Sequence, residues 1–456
     1  MNRNSVRRLL LLACGLTVVA AWPPLRAQQP EPRHVIVISI DGLKPWTYAT
    51  AGPAKVPALR RLAQSGVYAD GVVAVTPTVT YPAHTTIVTG VLPAVHGIYN
   101  NRILDPENSS NGSWYWYARD IKVPTLAGVL KARGLKTAAV SWPATVGADI
   151  DYLFPEFGGV TSHPKSLELL RALSSPRGIL EKYEAQRSAI PWPMSDADRT
   201  GLAAWIFRTY RPQLMLLHIY DTDDAAHTYG PESPQALASI EEADARVQQL
   251  VDAVAAAGLQ SRTDIVVLSD HGFLPIEQQL QPNNAFKQEG LLEVDDAGRV
   301  QRWDAYYYTA GGAGFVMLRN PDDAALRDRV SALLRKLAAD PANGILTIWT
   351  RDDLAKAGAD PRASFGIDMR NGFYSGGGHA ALLSKPSGKG GHGFGPARPE
   401  LHASLVMSGP DVPKAGSLGI VRMTQIGPTI ASWFNATLSP QADRAIAWPH
   451  RSAARR

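Results

Sequence analysis

Cysteine is nearly absent: Cys14 is the only one in 456 residues. Without a second cysteine the chain cannot close a disulfide on itself. If the first 27 residues are removed, thiol catalysis and zinc–thiolate sites are excluded as well. Charge is sparse, at 19% Asp, Glu, Lys and Arg, and the formal net charge is only +5. Part of that excess sits at the two ends, in Arg3, Arg7, Arg8 and Arg26 and in Arg451, Arg455 and Arg456. The basic balance is therefore not a nucleic-acid footprint, and no nucleic-acid polymer is expected as a partner. Internal repeats and coiled-coil heptads are missing. The apolar run LLLLACGLTVVAAW is too short for a comfortable membrane span. What remains is 45% hydrophobic, with 39 glycines and 34 prolines, which suits a loop-rich globular enzyme better than a helical bundle.

Residues 1–27 read as a secretory signal. Arg3, Arg7 and Arg8 form a basic start, the apolar run follows, and Leu25-Arg26-Ala27 offers a small residue at the cut. An alternative uses Leu11-Leu12-Ala13-Cys14 as a lipobox with Cys14 acylated, although only Leu9 to Ala13 precede the cysteine as an apolar run. Either way the expected location is periplasmic or secreted. Residues 28–440 are expected to form one catalytic domain, with a cap inserted over about 276–390, and residues 441–456 a weakly ordered tail.

The strands HVIVISI (34–40), LMLLHIY (214–220) and DIVVLS (264–269) are continuous apolar runs, the pattern of a sheet covered on both faces. Helical patterns alternate with them over 56–63, 125–133, 167–183, 196–210, 234–256 and 423–435. This alternation predicts an α/β fold with a largely parallel central sheet and helices on both faces.

Chemistry-bearing residues stand just past strand ends or on loops, where open α/β sheets bind ligands. Asp41 follows the first strand. Asp223 and His227, in YDTDDAAH, are spaced i, i+4, with Asp221 as a competing carboxylate. Asp270-His271 follows DIVVLS. His392 sits in GGHGFGP, with His379 in SGGGHA as a rival. An Asp-Gly after a strand is ordinarily a turn, but a charged Asp-His pair behind a buried strand is costly unless something binds it. Thr80 stands just before Tyr81-Pro82 at a helix start. It is either an N-cap or a nucleophile, and a threonine hydroxyl needs a base or a metal to attack. Three aspartates and three histidines form an N/O ligand set suited to two zinc-like ions, the arrangement that clamps an in-line phosphoryl displacement. His96 reads as structural and His218 as a satisfied core histidine. Trp114, Tyr115, Trp116 and Tyr117 either stack a base or cover the fold.

ISIDG, PTVTYPAHTTIVTGVLPAVHGIYNN, the Asp223–His227 pair followed by TYGP, LSDHGF and HGFGP together resemble the alkaline phosphatase superfamily, and within it the nucleotide pyrophosphatase/phosphodiesterase family. The resemblance runs from about His34 to Phe434 and implies an alkaline-phosphatase-like fold. It implies two zinc ions, one held by Asp223, His227 and His392, the other by Asp41, Asp270, His271 and the Thr80 oxygen. Thr80 would form a phospho-threonine intermediate. Asn101 matches the family's phosphoryl-contacting asparagine, with Asn100 adjacent, and Trp114 and Trp116 are candidate substrate contacts. The chain departs from the family at Ala83, where a second asparagine is usual. The expected activity is hydrolysis of phosphodiester or pyrophosphate bonds in small nucleotide-like substrates. A phosphomonoesterase or phosphonate hydrolase on the same site, or an inactive binding protein, are the alternatives.

Overall fold

The computed structural model describes residues 33–49, 52–109, 113–157, 166–187 and 189–448. The signal and lipobox readings, and the last residues of the chain, lie outside them. Eight strands form the main sheet, in the order Gly416–Ser417, Val67–Tyr68, Leu405–Ser408, Thr263–Leu268, His34–Ile40, Leu214–Ile219, Thr137–Val140 and Tyr152–Phe154. The strand His34–Ile40 runs parallel to both neighbours, and Thr137–Val140 runs parallel to both of its own. Leu405–Ser408 is antiparallel to Thr263–Leu268, so the sheet is mixed on one side.

The side-chain period of two explains why the first strand is apolar throughout. Ile36, Ile38 and Ile40 enter one core with Leu202, Ile206, Val247 and Leu250 from the helices Asp196–Tyr210 and Pro234–Ala256. Val35 and Val37 enter the opposite core with Ala83, Ile87, Ile426 and Ile430. Each face is thus covered by helices, as parallel sheets require. Ser195 starts the Asp196–Tyr210 helix with a reciprocal capping box to Asp198, which fixes that boundary.

Two expectations are corrected. The helical pattern over 167–183 is not one helix: it divides into Ser166–Leu173 and Ile179–Glu184. Pro176 brings no N–H to continue the ladder, and Gly178 takes a left-handed conformation at φ +79°. Residues 441–448, assigned to a tail, are packed rather than loose. Ile446 is buried, its N–H donates to Thr429 Oγ1, and Asp443 pairs with Arg422 and Thr424.

Residues 276–390 build separate sheets. Ala305–Thr309, Ala313–Leu318, Phe365–Met369 and Ile345–Thr350 form one antiparallel sheet, backed by the helix Ala324–Ala339 through Val330 and Leu334. Leu274–Leu280 pairs with Gly372–Ser375 and with the two-residue strand Gly390–Gly391, which delivers His392 to the main sheet's carboxyl edge.

Candidate metal centre and its clefts

Register does the first assembly step. Ile40 is level with Ile219, and Ser39 with Leu268. Residues just beyond these positions leave three adjacent strands side by side. Asp41 emerges from the first, the helix Asp221–Tyr229 from the second, and Asp270-His271 from the third. On the helix, Asp223 and His227 share a face, with Asp223 Oδ1 3.5 Å from His227 Nε2. His392 Nε2 lies 3.7 Å from the same Asp223 oxygen. Asp41 Oδ1 lies 3.2 Å from His271 Nε2, and so does Asp270 Oδ2. Two groups can each hold a metal ion: Asp223, His227 and His392, and Asp41, Asp223 and His271. Asp223 belongs to both. Asp221 points elsewhere, accepting from the Asp196 N–H. His379 lines the outer cleft and is in neither group.

The donor set fits a cation. Asp41 Oδ1, Asp223 Oδ1, Asp270 Oδ2 and His271 Nε2 are buried with no hydrogen-bond partner. Such atoms cost free energy unless something binds them. The imidazoles are oriented for it. His227 Nδ1 faces Gly390 O at 2.9 Å, His392 Nδ1 faces Thr78 O at 3.0 Å, and His271 Nδ1 faces Gly272 O at 3.2 Å. A carbonyl opposite Nδ1 requires the proton there, so each Nε2 carries its lone pair into the site. Burial, and then the neighbouring imidazoles, lower His271 and His392, keeping both neutral. Burial, and then the charges of neighbouring aspartates, Asp270 foremost, push the Asp41 and Asp223 carboxyls well up. Neutral imidazoles and crowded carboxylates without thiolates suit a borderline divalent cation.

Glycine is required where the loops close on the site. A Cβ on Gly390 would stand 2.4 Å from Ala226 O, and one on Gly393, at φ +86°, 1.8 Å from Ala310 O.

Thr80 is not an N-cap. It is the first residue of the helix Thr80–Thr89, Val79 occupies the cap position in extended conformation, and no side chain caps the helix. Its hydroxyl is therefore not spent on the helix. Thr80, Asp41 and Asp223 line one cavity of about 290 Å³ together with Trp114, Glu156, Phe157, Trp192 and Tyr220. A second cleft of about 660 Å³ is lined by Val79, Asn100, Asn101, Tyr306, His227 and His392. Trp114 borders both and sits edge-on to Tyr81, at 5.4 Å. Trp116 lines neither and packs on Phe157. A larger groove of about 730 Å³, around Arg61 and Asp252, contains none of these ligands, so the chemistry locates the site elsewhere.

Asn101 and Asn100 are separated by their bonds. Asn101 Oδ1 accepts the Tyr81 backbone N–H at 2.8 Å, at the start of the Thr80 helix. The Asn100 amide instead donates to Thr309 O at 2.9 Å. Ala83 is fully buried in the apolar core with Ile87 and Val88 and does not face the ligands. His96 is buried, with the Ile98 N–H donating to its Nδ1 and Thr86 Oγ1 beside Nε2.

His218, expected to be a satisfied core histidine, is indeed buried and bonded, but its partners tie it to the site, and Glu156 carried no signal in sequence. His218 Nε2 lies 3.1 Å from Asp41 Oδ2, and its Nδ1 3.0 Å from Glu156 Oε2. Burial pulls its pKa down, but the bonds to Asp41 and Glu156 outweigh that and raise it. A histidine inside a buried strand was the one available signal.

The fold and site define an alkaline-phosphatase-like α/β protein with carboxylate–imidazole groups able to hold a metal ion at the carboxyl ends of its strands. Residues 35–371 match the family model for type I phosphodiesterase / nucleotide pyrophosphatase, and the chain belongs to that family. It is 26% identical over 257 residues to human ectonucleotide pyrophosphatase/phosphodiesterase family member 1, covering 53% of this chain and 24% of that protein. It is 25% identical over 421 residues to human family member 5, covering 90% of this chain and 76% of that protein. The chain thus spans about a quarter of the length of family member 1. In three dimensions it superposes on human family member 5 with a TM-score of 0.65 at 20% identity, covering 90% of this chain and 96% of the other. The murine form, inactive and in complex with AMP, gives 0.64 at 19% identity, with coverage of 90% and 96%. Among the described residues no helix is long and apolar enough to cross a membrane.

Proposed function

We propose that the chain is a metal-dependent hydrolase of phosphodiester or pyrophosphate bonds in small nucleotide-like substrates, using Thr80 as nucleophile. The observation that carries this is a cavity that Thr80, an uncapped helix-start threonine, shares with Asp41 and Asp223, one carboxylate from each of two carboxylate–imidazole groups able to hold a metal ion. Asp223, His227 and His392 would hold one zinc ion, and Asp41, Asp270, His271 and the Thr80 oxygen would hold a second. When bound, the ions supply positive charge that favours a deprotonated hydroxyl and offsets the charge on phosphoryl oxygens.

Thr80 Oγ attacks phosphorus, the bond from phosphorus to the leaving oxygen breaks, and the hydroxyl proton ends on that leaving oxygen, giving phospho-threonine and a free alcohol or phosphate. Water then adds to phosphorus, the bond to Thr80 Oγ breaks, and the hydroxyl is regenerated. The Asn101 amide donates to a phosphoryl oxygen. Trp114 faces substrate from both clefts, and Trp116 supports that wall through Phe157.

Two clefts that share Trp114, one lined by Thr80 and the other by Asn101, favour a diester with two arms over a monoester. The cations that line them are already engaged: Arg199 by Asp196 and Tyr220, Arg102 over Trp114, and Arg299 by Asp295. AMP in the murine relative makes a nucleotide arm the first choice. The N-terminal signal reading places the enzyme in the periplasm or outside the cell, and the inserted sheets over 276–390 form a cap that shapes substrate choice.

The test is a paired assay of the zinc-loaded protein on bis(p-nitrophenyl) phosphate and p-nitrophenyl phosphate, each with a chelator control. Faster, chelator-sensitive diester cleavage supports the proposal. Faster monoester cleavage moves the chain to the phosphatase reading.

A further inference from the structure

His218 lies on the strand Leu214–Ile219, whose other residues are all apolar. Burying an imidazole there is costly unless its bonds repay the lost hydration. Its Nδ1 faces two acceptors, Glu156 Oε2 at 3.0 Å and Ser141 O at 3.2 Å, and its Nε2 faces Asp41 Oδ2 at 3.1 Å. With acceptors on both sides the ring donates from both nitrogens and has no lone pair for a cation. In this it differs from His227, His271 and His392, whose Nδ1 faces a backbone carbonyl and whose Nε2 faces the ligand carboxylates. The second Glu156 oxygen accepts the Tyr81 hydroxyl at 2.8 Å. One chain of hydrogen bonds therefore runs from Asp41 through His218 and Glu156 to the residue after Thr80.

The bond from His218 occupies Asp41 Oδ2 and leaves Oδ1 without a hydrogen-bond partner, 3.2 Å from His271 Nε2. We propose that His218 and Glu156 are positioning residues that hold the Asp41 carboxylate with Oδ1 turned to the cation and tie it to the first turn of the Thr80 helix. This rests on the metal-dependent reading above. Outer partners of this kind fix a ligand's rotation, and losing one typically weakens metal binding or activity 10–100-fold.

The test compares the full chain with Glu156→Gln, His218→Ala and His218→Gln. Zinc affinity is read by competition with a chromophoric chelator, alongside kcat and KM on bis(p-nitrophenyl) phosphate and the thermal midpoint. Glu156→Gln and His218→Ala are expected to weaken zinc about 10–100-fold and to lower kcat more than they change KM. His218→Gln, whose amide still reaches Asp41, is expected to recover most of the affinity. A lowered midpoint with unchanged zinc affinity and kcat would overturn the inference, leaving the pair a purely structural role. If His218→Ala does not fold, the near-isosteric Glu156→Gln decides alone. Variants equal to a zinc-binding, active parent sink this inference only. A parent that binds no zinc sinks the underlying reading and the inference with it.

Discussion

The side-chain oxygen of Asn101 accepts the backbone N–H of Tyr81 at 2.8 Å, locking the asparagine against the first turn of the Thr80 helix. That bond settles the amide's orientation, with Oδ1 to the helix and Nδ2 left for the cleft. Asn101→Ala is expected to lower kcat on a diester substrate about 10²–10³-fold, the usual cost of one oxyanion donor. Asn101→Asp keeps the acceptor for Tyr81, loses the donor and adds negative charge, so its kcat should fall further. Steady-state kinetics on both variants check this.

Removing metal should destabilise the protein, because the partnerless atoms of Asp41, Asp223 and Asp270 then face one another. Saturation at 100 times Kd corresponds to about 2.7 kcal/mol of added stability. Asp223→Asn separates the two effects. The buried Asp223 carboxyl is held well above its usual pKa by burial and then by Asp270 and Asp224, so its charged form disfavours the folded apoprotein. The variant should melt higher than the parent without metal and gain little when zinc is added. Thermal melts with and without chelator check both halves.

His96 sets an acid limit on stability. Burial holds it neutral, with a pKa lowered to about 3 from the ordinary 6.5. A folded value below the unfolded one means the contribution is full above about 6.5 and is lost as pH falls towards 3. One such group gives a slope of about 1.4 kcal/mol per pH unit inside that window. His96→Gln should lower stability at neutral pH and flatten the slope. Denaturant unfolding at a series of pH values reads it.

That Asp41, Asp223 and Asp270-His271 would be neighbours was legible because each follows a strand of apolar pattern in the main sheet, whereas His392 follows only the short strand Gly390–Gly391. The bounds expected for the helices over 196–210 and 234–256 match the structure. What was not legible depends on long-range contact. Glu156 follows a three-residue strand in an irregular stretch, and only the fold sets it beside His218. Ala83 looked like a gap in the site, but its side chain is fully buried in the core with Ile87 and Val88. Pro176 broke a helix whose apolar pattern continued through it.

Gly390 is a packing requirement of the metal centre. A Cβ there meets Ala226 O at 2.4 Å and would push away the carbonyl that orients His227. Gly390→Ala should weaken zinc binding and turnover by roughly 10–100-fold, as loss of an orienting partner does. Chelator competition and initial rates measure it.

The most direct measurement is diester hydrolysis by Thr80→Ala at saturating zinc, with bound metal counted on the same sample. The account predicts turnover lower by roughly four orders of magnitude or more, as for loss of a nucleophile, with two metal ions per chain still bound. Turnover close to that of the unsubstituted protein would contradict it.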